Sequence, residues 1–205
     1  GPELIAKLGL NVLEIREQAL TVIPPEDLDL PAQPWALLAT RTAPQNHHKI
    51  VLASREGPQD WKRREVAAED PGTDQTCFGS PNGQDDTCNY DYIRYHPLEI
   101  VSSYGGDVRF MYLQIHYTGE LSAECVVMPF PMCWWVPGED TSASELRVGW
   151  PMGDEVAEAV VAENVFPTRL TAVVDSVGRV QLAVCDRPPG SGDPTVRYLV
   201  FGSED

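Results

Sequence analysis

The sequence predicts a mainly β fold, an antiparallel β-sandwich or partly open barrel with two peripheral α-helices, and three observations carry that expectation. Residues Val108 to Tyr117 alternate, with Arg109, Met111, Leu113, Ile115 and Tyr117 on one side and Phe110, Tyr112, Gln114 and His116 on the other, which is the two-residue period of a strand. The last third holds three β-type runs, Arg169–Asp175, Arg179–Asp186 and Thr195–Phe201. Short links between them, Ser176-Val177-Gly178 and the proline- and glycine-rich segment 188–194, make an antiparallel meander. The composition is that of an ordinary globular chain, 42% hydrophobic and 22% charged over 205 residues, enough for a core of its own. Hairpins in series also admit a small β-propeller-like meander, although their spacing is irregular and no motif residues repeat.

Taken in order, Gly1-Pro2 reads as a protease-cleavage scar, and the chain as an excised piece. Residues 3–34 read as an N-terminal helix and a proline-rich connector. Val12, Ile15, Ala19 and Val22 or Ile23 follow a 3.6-residue period, Asn11 and Glu14 are spaced as a capping pair, and Pro24-Pro25 ends the helix. The rival reading is a hairpin of Val12–Arg16 with Ala19–Ile23. Residues 35–205 read as a single β-rich domain. Trp35–Arg41 and Lys49–Arg55 are apolar runs on either side of the long loop Thr42 to His48, which fits a hairpin. Residues 57–87 are polar and rich in Asp, Gly and Pro, an exposed, mobile acidic loop with room for a turn of helix at Trp61–Ala67. Tyr92 to Tyr104 is strand-like, and Pro97 marks an edge or a bulge. Thr118-Gly119 turns the alternating strand into a partner, Leu121–Met128, and Leu146–Trp150 is a further short strand. Asp154–Asn164 reads as the second helix, with Val156, Ala159 and Val160 inward and Asp154 and Glu155 at its positive N-terminal end.

The formal net charge is −16, from 31 acidic against 15 basic residues. Nucleic acid is held by clustered Lys and Arg. The basic cluster here, Lys62-Arg63-Arg64, is followed by Glu65, Glu69 and Asp70, so no nucleic-acid partner is expected. The acid excess favours solubility and suits a protein partner with a basic surface. No apolar run approaches the roughly 20 residues of a membrane-crossing helix, so no membrane insertion is expected. No Asn-x-Ser/Thr sequon occurs, which leans toward an intracellular origin.

Signatures of catalysis are missing. There is no Gly-x-Ser-x-Gly elbow, Gly190-Ser191-Gly192 reads as a flexible turn, and no Gly-Lys-Ser/Thr follows Gly105-Gly106. His47, His48, His96 and His116 lack the spacing of zinc ligands, so no metal and no cofactor is expected. The segment Asp74 to Asp91 carries Asp74, Asp85, Asp86, Asp91, Asn82 and Asn89, oxygen donors of the kind calcium takes; without the EF-hand pattern they read as solvated loop acids. Of the five cysteines, Cys125 and Cys185 fall in strand patterns and read as buried small hydrophobes. Cys77 and Cys88 flank a loop that a disulfide could close, and a cytosol would keep both reduced. Cys133 lies beside two tryptophans with nothing basic near it in sequence to activate a thiol.

The surface remains. Trp134-Trp135, bounded by Pro131 and Pro137-Gly138, cannot both point inward from an extended backbone, because neighbouring strand residues face opposite ways. Tyr90 and Tyr92 share one strand face and extend the aromatic set. The expectation is a non-catalytic protein–protein interaction module of a larger protein or complex, with Trp134, Trp135, Tyr90 and Tyr92 as an aromatic patch in an acidic surround. The alternative is a carbohydrate-binding, lectin-like β-sandwich presenting the same rings to sugars. An enzyme with a dispersed site would instead show a pocket near His116 and Gln114 lined by acids of perturbed pKa.

Overall fold

The computed structural model describes residues 12–23, 32–42, 47–57, 60–68, 81, 86–103, 106–127, 131–137, 141–187 and 192–202. Among them every regular element is a strand, and the strands form three antiparallel sheets with no closed barrel. The first sheet is a meander of β1 (Val12–Ile23), β2 (Gln33–Thr42), β3 (His47–Arg55) and β4 (Trp61–Ala68), in that order. The second runs β5 (Thr87–Ser102), β6 (Val108–Val127), β8 (Thr141–Met152) and β9 (Glu155–Glu163), and β7 (Pro131–Pro137) pairs with the far part of β6. The third is β10 (Pro167–Val174), β11 (Val180–Asp186) and β12 (Thr195–Phe201). Pro97 lies in the edge strand β5, where the register against β6 shifts between Pro97 and Glu99, the kind of place where a missing N–H is tolerated.

The second sheet is the middle layer. Phe110, Met111 and Tyr112 are consecutive in β6 and all fully buried, which requires cover on both faces of the strand. On one side Phe110 and Tyr112, with Tyr95, Ile100 and Val108, pack on Trp35, Leu37, Ile50 and Leu52 of the first sheet. On the other, Met111, Leu146 and Val148 pack on Ala172, Val180, Leu182 and Val184 of the third. Each such side chain taken from water contributes about 1.5–3 kcal/mol, so these two apolar layers hold the sheets together.

Polar contacts fix how the layers meet. Lys62 pairs with Asp154, and buried Arg64 donates from Nε to the Gly153 carbonyl at 2.9 Å and from Nη1 to Ser54 Oγ at 3.2 Å. The Arg64 guanidinium also lies 5.8 Å from the centre of the Trp35 ring. Two members of the basic cluster are thus engaged in docking β4 against the β8–β9 turn. Between the second and third sheets, Asn164 takes a left-handed φ of 53° and its N–H donates to Ser144 O at 2.7 Å. Ser144 Oγ donates to Val165 O at 2.7 Å, which seats Val165 in the second apolar layer. The Phe166 N–H then donates to buried Asp186 at 2.7 Å.

Several expectations are corrected. Neither helix forms among the described residues. Val12–Ile23 is strand β1, and the rival hairpin fails as well, because its two halves run on as one strand along β2. Ala19 and Ile23 face the core while Leu20 and Val22 face outward, a two-residue alternation that a 3.6-residue period can mimic over one short stretch. Asp154–Asn164 is the end of a hairpin turn followed by β9. Gly153 has φ +63° and Asp154 is not positive, the pattern of a II′ turn, and the open side of β8 then captures an Ala- and Glu-rich segment as a strand. Trp61–Ala67 is likewise strand, within β4, so part of the 57–87 loop is ordered sheet. The expected turn at Thr118-Gly119 is absent: β6 runs through it unbroken, Gly119 opposite Tyr90, outside the left-handed region that such a turn needs. Residues 1–11, 69–80 and 82–85, on which other expectations fall, lie outside the described residues.

Candidate functional site

The far part of β6 and all of β7 form a two-stranded hairpin in which Cys125 faces Cys133 in register. The two are joined by a disulfide. Cys125 is therefore no simple buried hydrophobe, and Cys133 is no free thiol. Trp134 stands opposite Glu124 and Trp135 opposite Ala123, so the two rings leave opposite faces of the hairpin. Trp134 shares its face with Val126 and Met132, and all three are exposed, Trp134 by 40% and Met132 by 67%. Glu124, also exposed, sits among them. Bulky apolar side chains on a disulfide-closed hairpin are held where a partner can reach them, at little conformational entropy.

Trp135 lies on the other face, along the row Tyr117, Gly119, Leu121 and Ala123 of β6. Tyr90, Tyr92 and Arg94 alternate along β5 on this same side, and Tyr92 pairs in register with Tyr117. The Tyr90 and Tyr92 ring centres are 5.8 Å apart, and Tyr92 stacks on Tyr117 at 5.0 Å. The Arg94 guanidinium lies 5.1 Å from the Tyr92 ring centre and 5.6 Å from that of Tyr117. The tyrosines and Arg94 are half-buried, with their remaining surface open to solvent. From Tyr117 to the Ala123–Trp135 pair the face runs about 20 Å at the usual rise per strand residue.

Of the four aromatics expected to form one patch, three share a face and Trp134 does not. Tyr117, Arg94, Val126 and Met132 complete the two surfaces and were missed. Arg94 was within reach of the period-2 argument that joined Tyr90 to Tyr92. Tyr117 required the β5–β6 register, and the neighbours of Trp134 required the β6–β7 register, which the expected turn at Thr118-Gly119 obscured.

Elsewhere several titratable groups are paired. His116 Nε2 meets Asp91 Oδ1 on the opposite face of β5 and β6. Arg147 donates to Glu145 at 2.6 and 2.9 Å and to Glu158 at 2.6 Å, and Glu158 also accepts the Tyr112 hydroxyl. Burial, and then the Glu158 carboxylate, push the Tyr112 phenol well above its ordinary 10. This is a closed network that ties β6, β8 and β9 together. Burial also pushes the Glu99 carboxyl up, against a hydrogen bond with the Ala172 backbone. Cys88 is disulfide-bonded; Cys77, expected as its partner, lies outside the described residues, as do Asp74, Asp85 and Asn82 of the acidic segment. Among the described residues no group of three or more His, Cys, Asp or Glu could hold a metal ion, and no helix is long and apolar enough to cross a membrane.

No known protein family, curated protein or solved structure matches the chain.

Proposed function

We propose that the chain is a non-catalytic protein-interaction module and that the β6–β7 hairpin is its principal contact. The observation that carries this reading is the exposed face of Val126, Met132 and Trp134 on a hairpin closed by Cys125–Cys133. Tryptophan concentrates at binding hot spots, and methionine adapts to irregular partner surfaces. Exposed Glu120 and Glu124 stand beside the apolar residues, and the chain is strongly acidic. Such a rim suits a partner with a basic surface, whose association slows as salt rises. The sheets supply the scaffold, and antiparallel sheets packed face to face suit a sandwich arrangement of it, with a propeller-like meander as the alternative.

The test is affinity purification of the tagged chain from its native extract, with bound proteins identified by mass spectrometry. Trp134→Ala and Met132→Ala should each weaken the captured partner, Trp134→Ala by roughly 2 kcal/mol, without lowering the melting temperature. Unchanged affinity in both, or a partner lost only through unfolding, would end this reading.

The stacked Tyr92–Tyr117 pair favours a second reading, a glycan laid along the opposite face. There Tyr92→Ala abolishes glycan-array binding while Trp134→Ala leaves it intact.

A further inference from the structure

Among the described residues the third sheet ends on an uncovered strand. Strand β12 pairs with β11 along its whole length without a bulge and is an edge of its sheet. Its outward residues are apolar and open to solvent: Val196 is 78% exposed, Tyr198 65% and Val200 51%. Natural edge strands are usually defended by inward-pointing charge, proline or a bulge, because an open row of N–H and C=O groups recruits another strand. From Thr195 to Phe201 there is no proline and no bulge, and the one inward charge, Arg197, is neutralised within its own sheet. Pro194 precedes the strand, and its one charge, Arg197, pairs with buried Asp186 at 2.8 Å, though off the angle of a hydrogen bond. The Tyr198 hydroxyl is satisfied by Gln181 of β11 at 2.8 Å, so the residue offers a partner ring surface without an orphaned donor.

We propose that β12 pairs antiparallel with β12 of a second copy, joining two third sheets into one continuous sheet across a two-fold axis at Tyr198. The strand is complementary to itself in that register. Val196 falls opposite Val200 of the other copy, Tyr198 opposite Tyr198, Arg197 opposite Leu199 and Thr195 opposite Phe201. Every outward pair is apolar, and aromatic and β-branched pairs are the favourable cross-strand neighbours. No like charges meet. Moving the axis by one residue to Arg197 would set two arginines face to face, so charge excludes that register, and the Tyr198 register is the one that centres the strand on itself. The interface is isologous and closed, giving a dimer and not a fibre. The backbone supplies the attraction and the alternate side chains the specificity, as in other strand additions.

The −16 charge of each copy opposes association at long range, so the dimer tightens as salt screens it. Analytical ultracentrifugation of the chain at low and at about 0.5 M salt should show a concentration-dependent dimer, stronger at the higher salt. Tyr198→Lys should weaken dimerisation at least tenfold, whereas Val173→Lys, exposed on the same sheet face but on β10, should leave it unchanged. Far-UV circular dichroism establishes that both variants are folded. In a Cys185→Ser background, Tyr198→Cys should cross-link on mild oxidation, since paired antiparallel residues lie about 4.5–5.5 Å apart between Cα atoms, within disulfide range. A single-chain mass at every concentration and salt, a dimer that survives Tyr198→Lys, or a dimer that Tyr198→Cys does not cross-link would overturn the proposal.

Discussion

At Gly149 the middle sheet leaves no room for a single carbon. Gly149 lies opposite Phe110 in register, and a Cβ built there would come within 2.2 Å of the Phe110 ring. Phe110 is fully buried between two sheets and cannot swing out. Gly149→Ala should therefore destabilise by roughly 1–3 kcal/mol, read from chemical denaturation; an unchanged midpoint would mean that the layers part more easily than their packing implies. Asp175 governs a different kind of site. It opens the β10–β11 turn, where the Gly178 N–H donates to Asp175 O at 3.1 Å and Gly178 takes φ +83°. Its carboxylate accepts from the Val177 and Arg179 N–H groups, from Arg179 Nε and from Gln181. Burial works against ionisation there, but these donors outweigh it and hold the carboxyl at about 2, below its ordinary 3.8. Folding thus favours the charged form. The contribution is complete above the unfolded value of 3.8 and is lost as pH falls from there through about 2. Asp175→Asn should lower the melting temperature at neutral pH and flatten its fall across that acid window; parallel profiles for the two proteins would refute the assignment.

One covalent cross-strand bond closes the hairpin. A closed loop as short as Cys125–Cys133 restrains the open chain by roughly 2–3 kcal/mol. In the Cys125→Ser, Cys133→Ser double variant, amide exchange in residues 122–136 should accelerate while the third sheet keeps its protection. Uniform protection throughout would show that the bond restrains nothing locally. Such bonds are rare where thiols are kept reduced, whereas the missing sequon leans toward the cell interior. Legibility also varied by element. The β2–β3 hairpin and the β10–β11–β12 meander were readable because their turns and alternation are local. β1 and β9 were not, because a segment such as Glu155–Glu163 is a good helix former in isolation and becomes a strand only where β8 offers it an open side.

Across the whole molecule, alternation was visible in β6 but its meaning was not. The sequence pattern does not say that both rows of a strand are covered, which Phe110, Met111 and Tyr112 require. The aromatic site was legible to the same extent: Trp134 and Trp135 had to diverge, yet which neighbours each would join depended on registers between strands distant in sequence. The order of the sheets has a further consequence. Each sheet is built from consecutive strands, and the two principal apolar layers lie between sheets that are neighbours along the chain. Loop closure within a meander is short, so each sheet can form as soon as its own strands are available. During synthesis the first sheet can be complete before the second emerges. β6 then needs both neighbours: one face can be covered by the first sheet, while the other, Met111 with Leu146 and Val148, waits for β10, β11 and β12 to leave the ribosome. Through that interval one apolar layer of the middle sheet stays open, the condition under which partly folded chains aggregate.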